Sequence, residues 1–180
     1  MNTADEQILN YYRNPSTKEK GFVLLMNTYQ QRLYNQVRRM VHSHDDTDDV
    51  LQNVFVKIWK NLDSFKENAQ LYTWLYRVAM NETLTFLQKR KRYDSVEFED
   101  YKFENNYQTQ STTLSAADIE KKLEYAIGTL PDKQKEVFNL RYYDEMTYEE
   151  MSKLLGTSEG ALKASYHHAV KKVEKILKAD

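Results

Sequence analysis

The chain has 180 residues, with 26 Lys and Arg against 27 Asp and Glu, a formal net charge of −1, so overall charge selects no class of partner. It contains no cysteine, which excludes a disulfide framework, a thiolate metal site and a cysteine nucleophile. No apolar run reaches the about 18 residues of a membrane span and no secretory segment follows Met1, so a cytoplasmic protein without membrane insertion is expected. Only Pro15 and Pro131 and four glycines interrupt the chain. Hairpin-rich β folds and glycine-rich phosphate loops are therefore disfavoured, and an all-α fold is predicted.

Local charge is less even than the total. Residues 1–92 carry 14 basic and 10 acidic side chains and end in Lys89-Arg90-Lys91-Arg92. Residues 93–113 carry Lys102 alone against Asp94, Glu97, Glu99, Asp100 and Glu104, and finish in a polar, aperiodic run. That composition predicts an acidic, extended linker between a first domain, 1–92, and a second, 114–180.

Within the first domain, Phe22, Leu25, Tyr29, Leu33, Val37 and Met40 recur at steps of three and four and predict a helix. Val50, Leu51, Val54, Phe55, Ile58 and Trp59 predict another. It opens with Asp45, Asp46, Asp48 and Asp49, a placement that complements the helix dipole. A loop over 63–70 leads to a third helix that starts with Leu71, Trp74, Leu75 and Val78 and runs past Asn81 to the basic tetrad. Phe65, Tyr72, Trp74 and Tyr76 surround that loop. Such aromatics suit the stacking of unpaired bases as a group, but each taken singly reads first as core, and Trp74 sits in a core pattern.

In the second domain, Ile119, Leu123, Ala126 and Leu130 mark one helix, and Pro131 is placed to open the next at its first position. Thr147-Tyr148-Glu149-Glu150 fits a capping box, Gly156 suits the left-handed residue that ends a helix, and Ser158 suits the next cap. The apolar positions Leu162, Tyr166, Ala169, Val173 and Ile176 then predict a longer helix, with Lys163, Lys171, Lys172, Lys175 and Lys178 against Glu174 over residues 161–178. A short helix, a tight turn and a basic helix make the helix-turn-helix plan or an ordinary helical hairpin with a solvated lysine face. On the first reading Glu159, Ala161, Leu162, Lys163 and Ser165 face or flank base edges, and Lys171, Lys172 and Lys175 lie nearer phosphates.

His42, His44, Asp45 and Asp46 make a poor metal site, because two histidines at i and i+2 share no helical face. No nucleophile elbow, P-loop or HExxH pattern occurs, so no catalytic residue, metal or cofactor is expected. The tetrad at 89–92 suits sequence-independent phosphate contacts.

The run from Asp49-Val50-Leu51-Gln52-Asn53 to Trp59, followed by Thr73-Trp74-Leu75-Tyr76-Arg77-Val78-Ala79-Met80-Asn81, resembles region 2 of the sigma-70 family. Leu130-Pro131-Asp132-Lys133-Gln134 through Tyr148-Glu149-Glu150-Met151 and Gly160-Ala161-Leu162-Lys163 resembles region 4. With only these regions and a linker, the chain is similar to extracytoplasmic-function sigma factors. The resemblance implies a two-domain initiation factor whose partners are core RNA polymerase (the β′ clamp helices and the β flap), promoter DNA and an anti-sigma factor. It places Asp48, Asp49, Gln52 and Asn53 on polymerase. It places Phe65, Lys66, Asn68, Tyr72, Trp74, Arg77, Asn81, Lys89, Arg90, Lys91 and Arg92 at the minus-ten element, with a flipped base held by the loop. Thr157, Ser158, Glu159, Ala161, Leu162, Lys163, Ser165, Tyr166 and Lys171 fall at the minus-thirty-five element. Ser165, His168 and Val170 stand where many members carry arginine. Two other readings compete: a helix-turn-helix operator binder, which needs neither the Asp49 helix nor the aromatic loop, and a helical adaptor that contacts protein only, which needs no separated basic faces.

Overall fold

The computed structural model describes residues 3–66, 70–97 and 116–178, with side chains placed for 3–66, 70–91 and 118–178. Among these, eight α-helices and one 3-10 turn account for the regular structure, and no strand occurs. The chain divides into two compact units, Met1–Leu87 and Gln88–Asp180. None of the described helices is long and apolar enough to cross a membrane.

The first unit begins with a helix the sequence analysis did not anticipate, α1 (Thr3–Arg13), followed by α2 (Lys18–Val41), α3 (His44–Asn61), the 3-10 turn Leu62–Ser64 and α4 (Leu71–Glu97), whose residues up to Leu87 belong to this unit. The expected stripe of α2 is buried at Leu25, Tyr29, Leu33, Val37 and Met40, and that of α3 at Val50, Leu51, Val54, Phe55 and Ile58. Each such side chain removed from water contributes about 1.5–3 kcal/mol. The turn between the two helices is local chemistry: His42 adopts a left-handed φ of 67° and its N–H closes α2 on the Arg38 carbonyl. The Ser43 hydroxyl then caps α3 by accepting from the Asp46 N–H at 3.3 Å. From α4, Leu71, Tyr72, Leu75, Tyr76, Ala79 and Met80 are buried. Tyr72 stacks on Tyr29 of α2 with centroids 6.0 Å apart, and Lys57 of α3 pairs with Glu82 of α4.

α4 continues as helix to Glu97, into the segment expected as linker. The linker's remaining residues, 98–113, lie outside the described residues.

Docking of α1 on α2 buries Ile8, Leu9 and Tyr12. It also brings the buried Tyr29 hydroxyl to donate to the Asp5 carboxylate. Burial, then this hydrogen bond and the charge of Asp5, push the Tyr29 pKa above its ordinary value of 10.0. A pKa raised in the folded state gives a contribution that is complete below the unfolded value and is lost as pH rises through the folded one. The first unit should therefore lose denaturant stability steeply above about pH 10, with Tyr12, whose pKa burial also raises, adding to the fall. Tyr29→Phe should make that alkaline slope shallower and lower stability at neutral pH, because Asp5 loses its donor. An unchanged slope in urea titrations at pH 9 and pH 11 would contradict the assignment.

The second unit contains α5 (Ala116–Gly128), α6 (Asp132–Tyr142), α7 (Tyr148–Leu155) and α8 (Glu159–Lys178). Ala126, Ile127, Leu130, Phe138, Ala169 and Val173 form its core, with Leu123, Tyr166, Val170, Ile176 and Leu177 packed around them. Two expectations need correction. Pro131 is the residue capping α6 rather than its first helical residue, and Ile119, although in step with Leu123 and Ala126, is 51% exposed. Lys122 donates to the Leu177 carbonyl at 3.0 Å, so a cation meets one of the last acceptors of α8, where the helix dipole favours it.

Candidate polymerase-binding and DNA-binding surfaces

On α3 the buried stripe faces α2, which leaves Asp48, Asp49, Gln52 and Asn53 exposed on the opposite side. The first turn holds Asp45 and Asp46, so the cap and the dipole account for those two, while Asp48 and Asp49 begin the exposed face. Val56, one turn beyond Gln52 and Asn53, is 47% exposed. The result is a strip with acid at one end, amides next and an apolar side chain beyond, shaped for a partner that offers basic and apolar groups.

The α3–α4 connection is tied at its start. Phe65 N–H closes the 3-10 turn on the Leu62 carbonyl at 3.1 Å, and the Phe65 ring packs on Trp74 with centroids 5.8 Å apart. Phe65 and Tyr72, placed at DNA by the resemblance, are buried. The first packs against Trp74. The second sits between Tyr29 and the Arg32 guanidinium, which lies 3.7 Å from its ring centroid. Both are packing residues in this conformation, and Trp74 is half-buried. Lys66, Arg77, Asn81, Lys89, Arg90 and Lys91 are exposed. Asn68 and the side chain of Arg92 lie outside the described residues.

In the second unit the turn is built as its residues require. Thr147 and Glu150 form the reciprocal capping box of α7, and Gly156 ends that helix at φ 66°, a left-handed conformation that a side chain would strain. Ser158 Oγ accepts from the Ala161 N–H at 3.4 Å and caps α8. Across this turn Met151 and Leu154 of α7 and Leu162 of α8 are buried together in the unit's interior. Leu162 is therefore a core residue rather than one at a base edge. Tyr166 is half-buried and stacks on Phe138 at 5.8 Å, and Ser165 is also half-buried. Thr157, Ser158, Glu159, Ala161, Lys163 and Lys171 are exposed as expected.

Three features escaped the sequence reading. Ala164 and His167 are exposed on α8 with Lys163 and Lys171, and helical spacing from the buried Leu162, Ala169 and Val173 was the available signal. Arg141 and Lys163 both lie against the Tyr148 ring, 5.2 Å and 5.4 Å from its centroid. Lys163 also pairs with Glu159 at 3.5 Å. The surface thus presents cations held by an aromatic ring beside the start of α8, an arrangement suited to phosphate and base edges. No group of three or more His, Asp or Glu side chains that could hold a metal exists among the described residues. His44 instead shares a hydrogen bond with the Tyr34 hydroxyl at 2.6 Å.

The chain thus folds as two helical units, one with an acidic exposed helix and an aromatic connection, the other with a helix-turn-helix. Residues 25–93 match sigma-70 region 2 and residues 120–173 match sigma-70 region 4. The ECF RNA polymerase sigma factor SigW of Bacillus subtilis is 25% identical over 89% of this chain and 90% of its own. The ECF sigma-E factor of Escherichia coli is 28% identical over 84% and 83%. In three dimensions the chain is similar to the sigma factor RpoE of Bartonella quintana, solved with the anti-sigma factor NepR, at a TM-score of 0.67 and 22% identity over 89% of this chain and 99% of that one. The chain belongs to the sigma-70 family of RNA polymerase sigma factors, in its extracytoplasmic-function branch. It is an initiation factor and not an enzyme, and it directs core polymerase to promoters.

Proposed function

We propose that residues 1–92 bind core polymerase and open the minus-ten element, that 114–180 read the minus-thirty-five element, and that 93–113 connect them, all within the cytoplasm. The observation that supports this most directly is the order of the two matched regions on one chain, each folded around its own core. The exposed α3 face, Asp48, Asp49, Gln52 and Asn53, meets the β′ clamp helices. Lys66, Trp74, Arg77, Asn81 and the basic end of α4 take minus-ten DNA, with the connection from Asp63 holding an unpaired base. Unpairing costs a few kcal/mol, which is offset because the protein binds the open strand better than the duplex; a ligand shifts an equilibrium only by such a difference. The opening step therefore needs no nucleotide hydrolysis.

On the second unit, the start of α8 enters the major groove with Lys163, and Ala164 and His167 reach base edges from the same side of the helix. The β flap takes another face of the unit. Since the related RpoE is solved with an anti-sigma factor, such a partner for this chain is part of the proposal.

Run-off transcription on a genomic promoter library with purified core polymerase tests the reading; start sites that appear only when this chain is added support it, and none would end it. Lys171, exposed beyond the base-reading turns, should act on phosphate alone. Lys171→Ala should weaken holoenzyme binding to all minus-thirty-five variants by a similar factor and lower the slope of log affinity against log salt by about 1. Sequence-dependent losses would instead move Lys171 to the base edges.

A further inference from the structure

From Lys20 to Ser43 the chain has no acidic residue, so α2 carries only Glu19, in its first turn. Thr28, Arg32, Asn35 and Arg39 follow one another along it at steps of four, three and four, which sets them on one line of the helix. Arg32 is exposed on that line, and its guanidinium lies 3.7 Å from the centroid of the Tyr72 ring. That ring is 8% exposed and is stacked on Tyr29 at 6.0 Å, so the core fixes the surface on which the cation rests. Among the described residues Arg32 makes neither a hydrogen bond nor an ion pair. Asp5, the acid that α1 brings to Tyr29, is buried and already accepts from the Tyr29 hydroxyl. No part of the α3–α4 connection enters this arrangement.

A planar cation with one face on a buried ring, the other face toward solvent and its N–H donors unused has the chemistry of a base platform. Unpaired bases stack on guanidinium planes, and phosphate oxygens take the donors. A helix surface free of acid selects an anionic occupant, and the function of this chain supplies one in DNA. We propose that Arg32 is a further DNA-binding residue of the first unit, the outer face of its guanidinium stacking an unpaired base of the non-template strand. This rests on the reading that the first unit holds the opened minus-ten strand, and it adds α2 to the elements that touch that strand. In a duplex the faces of each base are covered by its neighbours, so this contact forms only with the open strand. It therefore adds to the difference in affinity that drives opening.

The test measures binding of the holoenzyme to a non-template-strand oligonucleotide from a promoter that the chain directs. A parallel series carries an abasic site at each position in turn. Arg32→Lys keeps the charge and loses the plane. It should weaken binding of the intact strand about tenfold, the low end of what one stacked base contributes. At one abasic position the parent should fall by the same factor and the variant no further. The melting temperature of the free chain should move by less than about 4 °C, because a lysine can still lie over Tyr72. Weakening by one factor at every position, abasic ones included, would make Arg32 a phosphate contact or a residue of the fold and would overturn the proposal; so would no weakening at all. A parent holoenzyme that binds this strand no better than an unrelated strand of the same length would end the reading of the first unit, and that outcome is separate from the Arg32→Lys result.

Discussion

Gly21→Ala should lower the melting temperature of the first unit by about 8–16 °C, the shift that about 2 kcal/mol produces in a domain of this size. A Cβ at Gly21 would lie 2.4 Å from Tyr12 N, 2.8 Å from Tyr12 Cα and 2.9 Å from the Ile8 carbonyl oxygen. All three are backbone atoms, so no rotamer change relieves the clash and one helix must move. Overpacking of this kind costs about 1–3 kcal/mol and occasionally more. Alanine gains about 0.5–1 kcal/mol over glycine inside a helix, which offsets only part of it, so the steric effect decides the sign. Moving α1 also withdraws Tyr12 from Trp59 and Asp5 from Tyr29, and the loss should show as faster amide exchange at Leu9 and Tyr12. Calorimetry that finds the variant within 2 °C of the parent would show that α1 and α2 separate without cost.

The helices legible from periodicity are those whose buried stripe exceeds three turns, α2 and α8 above all, since long stripes average over single exceptions. α1 carried a shorter signal, Ile8, Leu9 and Tyr12 after Asp5 and Glu6, and its buried Asp5 is polar on a face that hydropathy expects to be apolar. Only the partner hydroxyl of Tyr29, 24 residues away, makes that position tolerable. The ion pair of Lys18 with Asp63 is hidden for the same reason: 45 residues separate its members, and no periodicity records a contact of that kind. Leu162 illustrates a different failure. The spacing that assigned it to the apolar stripe with Ala169 and Val173 already conflicted with a place at base edges, and the structure resolves the conflict for the core. Phe65 and Tyr72 make the same point, because an aromatic beside a loop is claimed first by the nearest unfilled core. The acidic and basic surface positions were legible because nothing buries them, whereas their partners are set by a second molecule.

Phe138→Ala should abolish the fold of the second unit while leaving the first intact. The ring is 3% exposed and lies between Tyr142, stacked at 5.2 Å, and Tyr166, stacked at 5.8 Å, in a core otherwise made of small and medium side chains. Truncating a buried Phe to Ala costs about 3–5 kcal/mol, and a domain as small as residues 114–180 buries too little surface to hold much more than that in reserve. Tyr142 is 49% exposed and its other ring contact is the exposed Tyr143, edge to face at 4.9 Å, so little packing drives it into the gap, and α8 would lose the stacking of Tyr166 on α6. Circular dichroism should show loss of part of the helix signal at 37 °C, with the cooperative transition of the first unit retained. In transcription the variant should still form open complexes on templates already melted at the minus-ten element and lose its dependence on the minus-thirty-five sequence. Tyr166→Phe is the control, since it keeps the ring that stacks on Phe138, and it should cost less than about 1 kcal/mol. A Phe138→Ala chain that still discriminates among minus-thirty-five sequences would mean that α6 and α8 hold together without their aromatic centre.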